Sequence, residues 1–176
     1  MAAVRAGMLA LLFLVQDSFP SGPQVGDKLT EFKVLGFSGP QEGKEFEVLG
    51  QAKGKPMLLI FVHKITRPAL RFLRPVDERG AREETLASHV VWLSEDRDKT
   101  LDFLKRASKS LNLQAPMSIS VDGKDGPAAY GLNDKVTLTV VLAKEGKVVA
   151  NFALVDPNEK DAPKVLAAIE QLAGKK

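Results

Sequence analysis

The sequence predicts an α/β domain: a mixed central β-sheet with helices on both faces, closed by a C-terminal β-hairpin plus helix. Three observations carry this. Met57 to Val62 is an unbroken apolar run behind Gly54-Lys55-Pro56, the pattern of a strand buried on both faces. Strand-like and helix-like periods then alternate from residue 57 to residue 121, as β-α-β-α-β. Finally, two strand-like runs flank Lys144-Glu145-Gly146, where glycine supplies the positive φ of a tight connection.

Along the chain, Phe32 to Phe37 reads as a short strand and Glu45 to Leu49 as a half-exposed one, with Gly39-Pro40 and Glu42-Gly43 between them. After the central strand, Thr66 is placed to cap a helix and Pro68 fits its first turn. Leu70, Leu73 and Val76-Asp77 continue that helix to Gly80, and Pro75 is expected to kink it. Val90 to Leu93 forms the next buried strand. Ser94-Glu95-Asp96 introduces a helix whose Leu101, Phe103, Leu104, Ala107 and Leu111 share one face. Met117 to Val121 is a short strand, Asp122 to Gly126 a loop and Pro127 to Leu132 a single helical turn. Thr137 to Leu142 and Lys147 to Leu154 form the hairpin, and Asp161-Ala162-Pro163 opens a last helix through Leu166, Ile169 and Leu172.

At 176 residues and 44% hydrophobic, the chain suits one globular domain. Arg5 precedes the apolar run Gly7 to Val15, which suits a secretory signal and is short for a membrane span. Residues 1–23 are therefore expected to be a signal peptide or N-terminal anchor plus linker, and 24–176 the domain. Secretion or a periplasmic location follows, with membrane contact only through an uncleaved N-terminus. The net charge of +3 comes from 25 basic and 22 acidic residues that are interspersed. Arg67, Arg71, Arg74, Arg79 and Arg82 fall in one helical stretch without interleaved aromatics, so a solvated face is expected there and no nucleic-acid partner.

The chain contains no cysteine, which removes disulfides, thiolate nucleophiles and thiolate metal sites together. His63 and His89 are the only histidines and share no metal-binding spacing. No phosphate-binding glycine loop or Gly-x-Ser-x-Gly elbow occurs, and Asp122-Gly123-Lys124-Asp125-Gly126 fits a turn better than a calcium loop. No cofactor or metal is expected. Trp92 is expected in the core.

From Gly26 to Ala173 the chain resembles the redoxin branch of the thioredoxin-like superfamily, which includes thiol-disulfide oxidoreductases and alkyl hydroperoxide reductase-type peroxidases. The resemblance rests on Val25 to Leu29 as entry motif, Gly54-Lys55-Pro56 ahead of the central strand, Tyr130-Gly131-Leu132 with Val136 to Thr139, and Lys144 to Lys147 in the hairpin. It implies that Thr66 stands where the nucleophilic cysteine belongs and Ala69 at the resolving cysteine, with Arg67-Pro68 between them. Thr137 falls near the cis-proline of oxidoreductases. Thr and Ala cannot form a thiolate, a mixed disulfide or a sulfenic acid, so thiol catalysis by this chain alone is excluded.

The resemblance further implies a non-catalytic module that binds a protein partner through His63, Thr66, Arg67, Pro68, Ala69 and Thr137, with Val136 beside them. An alternative is a redoxin-type enzyme acting without its own cysteines. A local reading of the residues adds that His63, Thr66 and Arg67 could form an anion pocket at a helix N-terminus. Against it stands the plainer assignment of Thr66 as cap, Arg67 as solvated and His63 as a strand end.

Overall fold

The computed structural model describes residues 19–174; the Gly7 to Val15 run and the Lys175-Lys176 tip lie outside them. Strands β1 (Lys33–Gly36), β2 (Glu45–Glu47), β3 (Met57–Val62), β4 (Ala87–Trp92), β5 (Met117–Ser120), β6 (Leu138–Lys144) and β7 (Lys147–Leu154) form one sheet. Its order is β2-β1-β5-β4-β3-β6-β7. β3, β4 and β5 are parallel neighbours, whereas β6 pairs antiparallel with β3, so the sheet is mixed. The helices are α1 (Val48–Gln51), α2 (Arg67–Ala81), α3 (Arg97–Leu111) and α4 (Ala162–Leu172).

Alternation along β3 sorts the core. Leu58, Ile60 and Val62 face a cluster that contains Phe72, Leu73 and Val76 of α2, Leu104 and Leu111 of α3, and Val165 and Ile169 of α4. Met57, Leu59 and Phe61 face the other cluster, with Leu29, Phe32, Val48 and Tyr130. Helices on both faces thus hold only unequally. All three long helices pack on one side, and the opposite side is closed by α1, a 3-10 turn at Ala128–Tyr130 and the N-terminal segment. The reason is handedness: two right-handed crossovers stepping the same way from β3 to β4 to β5 put both connecting helices on one face.

Four other local expectations change. The strand expected to run to Leu49 stops at Glu47, because the Glu31 carboxylate accepts from the Leu49 (2.7 Å) and Gly50 (3.0 Å) N–H groups and holds them in a helical turn. Gly80 does not end α2. A Cβ there would lie 2.7 Å from Leu58 Cδ2 and from Ser88 Oγ, so it is a glycine of close helix-sheet approach. The hairpin uses positive φ at Glu145 (52°) as well as at Gly146 (74°).

The domain also begins before residue 24. Ser21, Gly22 and Pro23, assigned to the linker by composition, are buried. Asn151 Nδ2 donates to the Ser21 (2.9 Å) and Pro23 (2.8 Å) carbonyls, and Ser21 Oγ lies 2.6 Å from Thr139 Oγ1. The segment continues along the edge of β7, where Gly26 N–H donates to Val148 O and Val148 N–H to Asp27 O, both at 2.9 Å. Part of an otherwise open strand edge is covered in this way. Trp92 is buried against Phe103, as a core residue.

Candidate functional site

The turn after β3 is built by three local constraints. Thr137 O accepts from the His63 (3.0 Å) and Lys64 (3.3 Å) N–H groups, which fixes where the chain leaves the sheet. Thr66 has extended backbone angles (φ −127°, ψ 151°) and its Oγ1 accepts from Ala69 N–H at 3.2 Å, satisfying one of the free donors of the first turn of α2. Pro68 sits in that first turn, where its missing N–H costs nothing. Lys64, Ile65, Thr66, Arg67 and Pro68 are all exposed, and Ile65 keeps 46% of its surface open.

The six residues singled out in the sequence separate into three environments. Thr66, Arg67 and Pro68 lie on the surface at the start of α2. Ala69 is buried and packs in the helix-side cluster. Thr137 is buried and fully engaged: its N–H donates to Leu154 O (2.8 Å), its hydroxyl to Val155 O (2.6 Å), and its carbonyl accepts the two bonds above. Val136 is buried with it.

His63 turns towards the opposite face of the sheet from α2. Its Nε2 is 2.9 Å from Thr139 Oγ1, which in turn meets Ser21 Oγ. Burial, then the neighbouring Lys64 cation, lowers the His63 pKa to about 4, and Asp134 offsets this only in part. The ring is therefore neutral at neutral pH, with one nitrogen committed to Thr139. Thr66 Oγ1 has only its capping bond among the described residues, so no activated nucleophile stands at this turn.

Thr139 and Ser21 were not singled out in the sequence. A threonine inside the apolar run of β6 was the legible signal, since a buried hydroxyl needs a partner. Nor were the cations beside His63. A cleft of about 810 Å³ runs from His63 and Lys64 to Asp134 and Lys135, crossing the N-terminus of α3. Two exposed ion pairs line it, Lys124 with Glu95 (2.5 Å) and Lys99 with Asp96 (3.0 Å). Lys124 lowers the Glu95 pKa, and the Lys99 N–H group does the same for Asp96. Lys64 has no ion pair among the described residues, and Lys135 lies 4.9 Å over the Phe19 ring. No group of three or more His, Cys, Asp or Glu residues that could hold a metal occurs among the described residues.

No protein-family model and no curated protein matches the sequence. Solved structures do match. A candidate thiol:disulfide interchange protein DsbE from Chlorobium tepidum superposes with a TM-score of 0.64 at 19% identity, over 86% of this chain and 99% of that one. The fold is thioredoxin-like. A peroxiredoxin-like protein from Aquifex aeolicus gives 0.57 at 22% identity, covering 86% of this chain and 90% of its own. The exposed lipoprotein thioredoxin Etrx1 of Streptococcus pneumoniae gives 0.56 at 21%, covering 81% and 99%. At these identities the likeness is one of fold. Within the thioredoxin-like frame, the two positions that the resemblance assigns to thiols are an exposed helix cap, Thr66, and a buried alanine, Ala69.

Proposed function

We propose that the protein is a non-catalytic thioredoxin-like module that binds a protein partner through the exposed turn from Lys64 to Pro68, and that it acts in the cell envelope or outside the cell. The observation that carries the first part is the composition of the turn. A capping threonine and a buried alanine occupy the thiol positions of a chain without cysteine, while a contiguous apolar and cationic surface remains open beside them. Ile65 and Pro68 offer apolar contact, and Lys64 and Arg67 offer charge, which favours an extended acidic segment over a neutral one. His63 lines the adjoining cleft. Thr137 and Ala69 support this surface from beneath, since both are buried.

The envelope part rests on the Arg5 and Gly7 to Val15 pattern and on the Streptococcus neighbour described as an exposed lipoprotein. Among the described residues no helix is long and apolar enough to cross a membrane.

Insulin-reduction and hydroperoxide-consumption assays test the non-catalytic part: turnover at the buffer rate is expected, and clear turnover by the purified chain overturns it. Mass spectrometry of the mature N-terminus tests secretion. A chain beginning within residues 16–20, ahead of the packed Ser21, is expected, and an intact Met1 in the cytosolic fraction overturns it.

A further inference from the structure

A second cavity, smaller than the cleft beside His63 but less open, lies away from the turn, at the amino ends of β3 and β4. A cavity of about 480 Å³ opens between these strands and the β2-α1 segment. That size falls within the usual range for small-molecule sites. Phe46, Val48, Met57 and Ala87 supply apolar walls, and Gln41 and Gln51 hydrogen-bond to each other at 3.3 Å on its exposed side.

His89 stands in this cavity with only 7% of its surface exposed. One ring nitrogen, Nε2, is 2.8 Å from Ser118 Oγ, and the Phe46 ring meets the imidazole edge-on at 5.7 Å between centroids. The other nitrogen, Nδ1, has no hydrogen-bond partner among the described residues, yet it is not one of the polar atoms sealed from solvent. A nine-tenths buried imidazole with one nitrogen held and the other open is a built hydrogen-bonding point inside an apolar wall. Ser118 Oγ can donate to Nε2, which leaves Nδ1 as an N–H donor facing the cavity. Burial lowers the His89 pKa to about 4, so the ring is a neutral donor rather than a cation. Lys53 is the one charged residue lining the cavity, and no acidic residue lines it.

We propose that this cavity is a binding site for a small aromatic carboxylate, its ring against Phe46, Met57 and Ala87, and its carboxylate taken by His89 Nδ1–H and the Lys53 ammonium. The aromatic part follows from the apolar walls and the Phe46 ring. The single anionic group follows from one cation and one neutral donor with no opposing carboxylate. The site is independent of the turn: β3 runs from Met57 at the cavity to Val62 at the turn, about 17 Å at the usual strand rise.

The test is a titration of the ¹⁵N-labelled full chain with 2-naphthoate and, separately, with its neutral analogue 2-naphthylmethanol, at neutral pH. Saturable shifts centred on the amides of Phe46, Ala87 and His89 are expected, with a Kd for 2-naphthoate at or below about 1 mM. Ala87→Phe, which fills the cavity, should weaken 2-naphthoate at least about tenfold, and Lys53→Gln about threefold while leaving the alcohol unchanged. Lys53 is exposed and makes no hydrogen bond among the described residues, so Lys53→Gln keeps the test alive if the Ala87 variant fails to fold. Absence of saturation, shifts centred elsewhere, undiminished binding to Ala87→Phe, or equal affinity of the alcohol would each overturn the proposal.

Discussion

The two ends of β3 solve opposite problems with similar residues. At the carboxyl end, His63 is half-buried, its Nε2 is tied through Thr139 to Ser21, and the chain beyond it is exposed and charged. At the amino end, His89 of the neighbouring strand is buried deeper, its Nε2 is tied to Ser118, and its free nitrogen faces an apolar cavity. Both rings have pKa values lowered to about 4, mainly by burial. The first histidine helps fix a surface; the second furnishes an enclosed volume. A resemblance centred on the turn draws attention to the carboxyl end, while the better-enclosed space lies at the other.

The pH dependence of stability offers the largest test of this pairing. Each histidine has a folded pKa below its ordinary 6.5, so the unfolded chain binds more protons between pH 6.5 and about 4. Their contribution is full above pH 6.5 and is lost as pH falls through that window. The loss should be on the order of 3 kcal/mol for His89 and smaller for the less buried His63. Asp77 works in the other direction: burial raises its pKa, so its protonation on acidification favours the folded state and offsets part of the loss. Urea denaturation at several pH values should show a steep decline from pH 6.5 to 4, and His89→Gln should flatten it more than His63→Gln. Equal flattening by the two variants would erase the distinction between the two ends.

A second contrast lies in how α2 is anchored. At the turn it is held by the Thr66 cap, which is exposed. Further along, the buried Asp77 carboxylate accepts from the Gln114 (2.6 Å) and Ala115 (2.9 Å) N–H groups just ahead of β5. Asp77→Ala strands two backbone donors and should cost about 3 kcal/mol. Thr66→Ala removes one cap bond and should cost about 1 kcal/mol. Chemical denaturation of both variants at neutral pH measures the two, and a larger cost at Thr66 would invert the proposed division between an anchored interior and a permissive surface.

What the sequence made legible follows the same division. The strands and helices near the turn could be read because their signals are local: an apolar run, a threonine cap, a proline in the first turn, a helical period. The features at a distance could not. Ser21 to Pro23 look like linker in composition and become core only through Thr139, Asn133 and Asn151, more than a hundred residues away. The turn of α1 depends on Glu31, and the anchoring role of Asp77 exists only once residues 114 and 115 are folded against it. The Thr66 cap follows from its position ahead of a helical period, whereas the burial of Thr137 depends on β7 and Val155.

The smallest stability effect is expected where the functional effect should be greatest. Arg67 is exposed at the start of α2 and has no hydrogen bond or ion pair among the described residues, so Arg67→Glu should change stability by no more than about 0.5 kcal/mol. The substitution places a carboxylate where a cation faces the proposed acidic partner, and in the first turn of a helix a negative charge is itself tolerated. Affinity capture with the wild-type chain and with Arg67→Glu, each checked for an unchanged denaturation midpoint, should then lose the partner selectively, and Ile65→Ser should weaken it without altering charge. Recovery of the same proteins by all three chains would remove the turn from the interface and leave the cavity at the amino end of β3 as the remaining candidate site. A partner lost with Ile65→Ser but retained with Arg67→Glu would keep the surface and discard its electrostatic character, because apolar burial alone would then account for recognition.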